Sequence, residues 1–346
     1  MNKNKLQIKD LCARIPVIQG GMGVGVSLSG LAGAVAAAGG IGVISTAQIG
    51  FRDPEFAKNP LACNLKAIKE EIAKARQIAD GGIIGVNIMV ATRNYEEYVQ
   101  AAVAAGADLI ISGAGLPLDL PKVAKESKIV PIVSSRKALH IIAKHWKKTY
   151  DRKPDLVVIE GPQAGGHLGF HKDQLETYCA SGYEKYDEQI QDIIALAQEL
   201  EVPVVVAGGI YERSDLEHYL AMGAQGVQIA TRFVTTQECD ASERYKQAYI
   251  QAKQENIVIV DSPVGMPGRA IHTAFLDRVK AGERFMGEGC RQCIRTCKPE
   301  TIPYCITQAL INAVNGNLEE GLVFCGTNAY RAHTIETVAQ IMEEFA

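Results

Sequence analysis

The sequence predicts an α/β fold, a (β/α)8 or TIM barrel with a helical cap inserted after its eighth strand. Three observations carry this expectation. An Ala-rich helical segment, a Gly and a short aliphatic strand recur in that order at residues 34–45, 101–112 and 218–230. Eight short aliphatic runs in all fall between residues 16 and 230. Almost every run ends in, or within two residues of, Gly, Ser, Asn, Glu or Gln, and barrel sites are built at that C-terminal rim. An open doubly wound sheet is the competing arrangement, and the polar strand ends favour the barrel.

The runs are 16–19, 41–45, 83–88, 109–112, 130–133, 156–160, 204–207 and 227–230. They are rich in Val and Ile, as parallel strands buried on both faces require. In the three repeats, Gly39, Gly106 and Gly223 supply the left-handed position that ends a helix. Beyond Val234 the pattern stops. Helical stretches are expected over 243–255 and 270–281, with the turn-rich Ser262-Pro263-Val264-Gly265-Met266-Pro267-Gly268-Arg269 between them. A cysteine-bearing segment, a helix at 306–314 and a last amphipathic helix at 334–345 complete the chain. The expected division is a barrel of residues 1–233 and 326–346 and a cap of residues 234–325.

With 346 residues, 47% hydrophobic but only 6% aromatic, the chain can bury a large aliphatic core. A net charge of −3, from 36 basic and 39 acidic residues, gives no pull towards nucleic acid or an anionic membrane. The start, Met1-Asn2-Lys3-Asn4-Lys5, is polar and not an apolar signal core. Residues 28–45 are too broken by Gly and Ala for a membrane helix. A cytoplasmic protein with reduced thiols is expected.

The rim residues suggest a ligand. Gln19-Gly20-Gly21-Met22-Gly23 closes the first strand, Ala207-Gly208-Gly209-Ile210 the seventh and Ala230-Thr231-Arg232 the eighth. Loops after strands seven and eight are the usual phosphate cradle of such barrels. Glycines there let backbone N–H groups approach phosphate oxygens, and Thr231 adds a hydroxyl. Asn87, Glu160 and Gln228 end strands that are otherwise aliphatic, so their polar groups need partners, in neighbouring backbone or in a ligand. Polar groups converging on one rim suit a heteroaromatic ligand such as a flavin. His167 follows Gly165-Gly166 on the same rim. It reads either as a surface-loop histidine or as a proton-moving group. Cys290-x2-Cys293-x3-Cys297-x7-Cys305 has spacing that zinc or an iron–sulfur cluster accepts, and the first three positions would equally make one apolar helix face.

Taken in order, Pro16-Val17-Ile18-Gln19-Gly20-Gly21-Met22-Gly23, Gly85-Val86-Asn87, Gly113-Ala114-Gly115, Glu160 with Ala164-Gly165-Gly166-His167, Ala207-Gly208-Gly209-Ile210 and Thr231-Arg232-Phe233 resemble the nitronate monooxygenase (2-nitropropane dioxygenase-like) flavoproteins. The FMN-dependent enoyl-acyl-carrier-protein reductases share that superfamily, and Ser262 to Arg269 looks like the cap loop of the reductase branch. The resemblance implies FMN at the rim. Gly21, Met22 and Gly23 would face the flavin, with Asn87, Glu160, Gln228 and Ala230 beside it and Gly165 and Gly166 close by. Gly208, Gly209 and Thr231 would hold the phosphate. His167 matches the family's catalytic histidine. In the monooxygenase reading it acts as a base or positions the anionic nitronate while FMN relays an electron to O2. In the reductase reading NAD(P)H reduces FMN and His167 assists protonation or polarisation of an enoyl thioester. Both roles suit a pKa near neutral. A flavin or cluster redox sensor without turnover is a third reading. The expected partners are a small-molecule substrate, nitronate or enoyl thioester, and a second copy in a homodimer. The four cysteines stand outside the pattern of either branch.

Overall fold

The computed structural model describes residues 5–125, 127–287 and 289–346. The polar start, residues 1–4, lies outside the described residues. Eight strands close into a barrel: β1 (Val17–Gln19), β2 (Ile41–Ser45), β3 (Ile83–Met89), β4 (Leu109–Gly113), β5 (Lys128–Val133), β6 (Val157–Glu160), β7 (Val204–Ala207) and β8 (Gly226–Ile229). Every neighbouring pair is parallel, and β8 returns to β1 with Gln228 opposite Ile18.

The aliphatic runs form strands because both of their faces are covered. Ile18, Val43, Leu109, Ile111, Val158 and Val205 share the barrel interior. Their neighbours Ile44, Ile110, Val157, Ile159, Val204 and Val206 pack outward with the helices. A hairpin of Leu6–Ile8 and Leu11–Ala13 adds Leu6, Ile8 and Ala13 to the interior cluster and closes one end of the barrel. Gly39, Gly106 and Gly223 have φ of +98°, +82° and +104°, the left-handed helix stop expected of them.

Helix starts are fixed by side chains. Asn59 accepts from the Ala62 N–H at the head of Pro60–Ala79, and Ser135 caps Arg136–Tyr150. The half-buried Asp240 carboxylate accepts the N–H groups of Leu28, Gly30 and Leu31 at the head of Ser29–Ala37. The last helix, Val338–Glu344, begins with a Thr337/Gln340 capping box. It packs Ile341 and Met342 against Leu31, Val35 and Phe233. No helix among the described residues is long and apolar enough to cross a membrane.

The segment after β8 contains the helices Glu243–Gln251, Ala274–Lys280 and Ile306–Val314. It also contains a sheet that the helical reading passed over. Ile257–Asp261 and Pro267–Ile271 form an antiparallel hairpin, and Val323–Phe324 pairs with its second strand. Residues 270–271, expected as the start of a helix, are strand, and the helix begins at Ala274. The cause is local: Ile257-Val258-Ile259-Val260 is a β-branched run, which favours a pleated strand.

Candidate active site

The C-terminal ends of the strands surround a cavity of about 410 Å3, within the range of small-molecule and cofactor sites. Gly20 to Gly23 line it after β1, Asn87 and Met89 from β3, and Glu160 from β6. Ala207 to Ile210 after β7 and Gln228 to Thr231 at β8 complete the barrel side. Gly21, Met22, Gly23, Asn87, Glu160, Gly165, Gly166, His167, Gly208, Gly209, Gln228, Ala230 and Thr231 therefore share one cavity. The cap covers it with Tyr245, Tyr249, Met266 and Leu310, and the returning chain adds Phe324 to Asn328.

Backbone shapes much of this wall. A Cβ on Gly21 would lie 2.4 Å from the Asn87 Cβ, so the chain can pass Asn87 only as glycine. Gly208 has φ +98°, and a Cβ there would meet the Ala164 nitrogen at 2.9 Å. Gln19, one residue before the first glycines, is buried and structural. It donates to the Val43 carbonyl (3.2 Å) and accepts from the Val43 N–H (3.1 Å), tying β1 to β2. The Thr231 hydroxyl accepts the Gly326 N–H at 2.9 Å, and the Asn328 amide donates to the Gly209 carbonyl at 2.6 Å. The returning segment thus buttresses the loops after β7 and β8. Arg232 is turned away from the cavity, its guanidinium bound to Glu344 and to the Tyr211 carbonyl.

One carboxyl and one imidazole are among the titratable side chains lining the cavity, and burial displaces both towards their neutral forms. Glu160 has no side-chain hydrogen-bond partner among the described residues, and desolvation pushes its carboxyl up to about 7. Desolvation pulls His167 down to about 4. The near-neutral histidine expected from the sequence is corrected here: at physiological pH the imidazole is uncharged.

His167 is held by the cap. Gly166–His167 forms a two-residue strand, antiparallel to Pro267–Ile271, with Gly268 opposite His167 and Arg269 opposite Gly166. The Leu168 N–H extends the ladder to the Pro267 carbonyl at 2.9 Å. The imidazole Nε2 lies 2.7 Å from the Ser262 Oγ, and the Phe324 ring meets the imidazole edge-on at 4.9 Å. Arg269 is buried, and its Nη1 donates to the carbonyls of Pro162 (2.8 Å) and Ala164. The sequence placed Ser262 and Arg269 only in a loop resembling the cap loop of the reductase branch, with no individual role, and gave none to Phe324 or Asn328. The β-branched run at 257–260 was the available signal for the hairpin; nothing local marks Phe324.

The cysteine segment docks elsewhere on the rim. Ile294 bridges to Thr92, the Arg93 N–H donates to the Cys293 carbonyl (3.1 Å), and the Arg295 N–H donates to Ala91. Cys293 is turned into an apolar cluster with Phe275, Ile294 and Tyr304, whereas Cys290 is exposed and Cys297 and Cys305 are intermediate. No three His, Cys, Asp or Glu residues among those described stand together as a group that could hold a metal ion.

Known proteins are similar to this chain in sequence and fold. The family model for nitronate monooxygenase matches residues 5–346. A probable nitronate monooxygenase of Staphylococcus aureus is 26% identical over 315 residues, 82% of each chain. The (3aS,4S,5R,7aS)-5-hydroxy-7a-methyl-1-oxo-octahydro-1H-indene-4-carboxyl-CoA dehydrogenase of Mycobacterium tuberculosis is 26% identical over 272 residues, 79% of this chain and 67% of its own. Among solved structures, FabK from Thermotoga maritima superposes with a TM-score of 0.71 at 25% identity, covering 96% of this chain and 92% of FabK. Nitroalkane oxidase from Streptomyces ansochromogenes gives 0.70 at 19% identity, covering 96% and 95%, a likeness of fold. With the match running from the first described residue to the last, the chain belongs to the nitronate monooxygenase family, a family of flavin-dependent oxidoreductases.

Proposed function

We propose that the chain is an FMN-dependent nitronate monooxygenase that oxidises a small alkyl nitronate. The observation that carries this reading is a neutral, sheet-held His167 facing the same cavity as a glycine-built wall. The residues fit a phosphate-bearing flavin. Gly208 and Gly209 add no side chain of their own to the wall, Thr231 adds its hydroxyl, and Glu160, with no side-chain partner among the described residues, faces the cavity with the amides of Asn87 and Gln228. FMN bound here would supply the redox chemistry that links the nitronate to O2. Gly21, Met22, Gly23 and Ala230 would line the flavin, with Gly165 and Gly166 leaving room beside His167.

No lysine or arginine lines the cavity among the described residues. An anionic substrate must therefore be held by N–H and O–H donors, which act strongly in a dry site. An uncharged His167 can hold a nitronate oxygen by donating a ring N–H, and a nitronate, already deprotonated, needs no base. The cap side chains Tyr245, Tyr249 and Leu310 exclude water over the same cavity. Aerobic consumption of propionate nitronate, lost in His167→Ala with flavin content unchanged, is the expected result; no nitronate turnover would sink the reading.

A second reading is an NAD(P)H-dependent enoyl-thioester reductase. It is favoured by Met266, which brings the cap hairpin loop to the cavity, and by the likeness to FabK and to a relative named for a carboxyl-CoA substrate. Reduction of crotonyl thioester by NADH or NADPH without nitronate turnover would establish it instead. Steady-state turnover of either kind excludes a flavin sensor without activity.

A further inference from the structure

His167 rests on the barrel in sequence but on the cap in space. Among the described residues, the only ladder its strand makes is with Pro267–Ile271 of the cap hairpin, and the only side chain hydrogen-bonded to its ring is Ser262. Ser262 sits at the head of the hairpin turn, buried, with the Gly265 N–H donating to its carbonyl at 3.0 Å. Its hydroxyl oxygen accepts the Val264 N–H at 3.5 Å. A serine hydroxyl has one proton to give, and the acceptor within reach of this one is His167 Nε2, at 2.7 Å. An imidazole that accepts at Nε2 and is uncharged carries its proton on Nδ1. Because Ser262 occupies Nε2, Nδ1 is the ring nitrogen left for a ligand.

We infer that Ser262 of the cap hairpin fixes His167 as the Nδ1–H tautomer, so that the ring offers the cavity a hydrogen-bond donor and not a base. Ser262 is thus a positioning residue acting through His167. The inference rests on the reading of His167 as the group that meets the substrate, and it sharpens that role. A fixed donor suits a substrate that arrives with negative charge on oxygen, whereas a neutral carbon acid would find no base on this ring. The depressed pKa of His167 agrees, since a ring kept uncharged has a tautomer to choose.

The test is two-bond 1H–15N correlation on flavin-loaded protein labelled with 15N-histidine. His167 is identified among the seven histidines by the signals lost in His167→Gln. The expected result is a protonated Nδ1 and an unprotonated Nε2 for His167 in the native protein and in Ser262→Thr. Ser262→Ala should shift the ring towards Nε2–H and lower nitronate turnover about tenfold, below the ~10²-fold cost of deleting a positioned donor outright. A protonated Nε2 in the native protein overturns the inference, as does an unchanged tautomer in Ser262→Ala. If Ser262→Ala fails to fold, the native spectrum alone decides. Loss of the wider functional reading is seen separately, as nitronate turnover that survives His167→Gln.

Discussion

The barrel side of the cavity works through backbone, and the cap side works through side chains. Around β1 and β7 the wall is Gly20-Gly21 and Gly208-Gly209, where the absence of a Cβ makes the surface. Across the cavity the cap supplies Ser262, Arg269 and the sheet that holds His167. A glycine wall can cradle a large flat group yet offers little to distinguish one reaction from another. The cap decides what the histidine can do, because the ring's orientation and proton are set there. Proteins similar to this chain carry different reaction names.

The two sides should therefore fail differently. His167→Ala removes chemistry and leaves the cradle, so turnover should fall by ~10²–10³ while the purified protein keeps its flavin colour. Equal loss of flavin would show that the two sides are not separable. Gly21→Ala does the reverse: its Cβ would have to displace Asn87 from 2.4 Å, a clash that backbone and side chain must share. Flavin affinity, read by fluorescence titration, should weaken by about tenfold or more, roughly 1.4 kcal/mol, and the melting temperature should fall as well, since the clash strains the fold. An unchanged Kd would mean that the wall near Asn87 does not meet the cofactor.

Arg269→Met probes the joint between the sides. The buried guanidinium bonds two carbonyls just ahead of Gly165, and burial lowers its pKa with no carboxylate to compensate. Leaving both carbonyls unpaired should cost about 2 kcal/mol of stability, measured by urea unfolding. Turnover should fall with it and flavin affinity should hold. Arg269→Lys should not restore the loss, since one ammonium does not reproduce the planar fork.

The same division explains what could be read from the sequence. The barrel was legible because each unit repeats a local signal: an aliphatic run covered on both faces, and a glycine stop such as Gly106 at φ +82°. Rim residues such as Asn87 and Glu160 stood out as polar ends on apolar strands. The cap sheet is non-local, and its ladder joins residues 166–167 to 268–269 and 270–271 to 323–324. No window of sequence contains such a pairing, so Ser262 and Phe324 could not be placed against His167. The pKa of His167 was misjudged for the same reason, because desolvation belongs to the assembled cavity.

The smallest effect distinguishes Glu160 from His167 by sign, in flavin-free protein. Burial raises the Glu160 carboxyl to about 7 from an ordinary 4.5. Between those values the folded chain keeps a proton that the unfolded chain releases, so this group makes stability fall as pH rises, levelling off above about 7. Burial lowers His167 to about 4 from 6.5. Between those values the unfolded chain binds the extra proton, so this group makes stability rise with pH and hold above about 6.5. The contributions oppose one another between 4.5 and 6.5, and the native protein should show a shallow slope there. Glu160→Gln should uncover the rising limb and His167→Phe the falling one, in urea unfolding across pH 4 to 8. Parallel curves for all three proteins would show that the cavity desolvates neither group, and with that the uncharged imidazole on which the donor role depends would be lost.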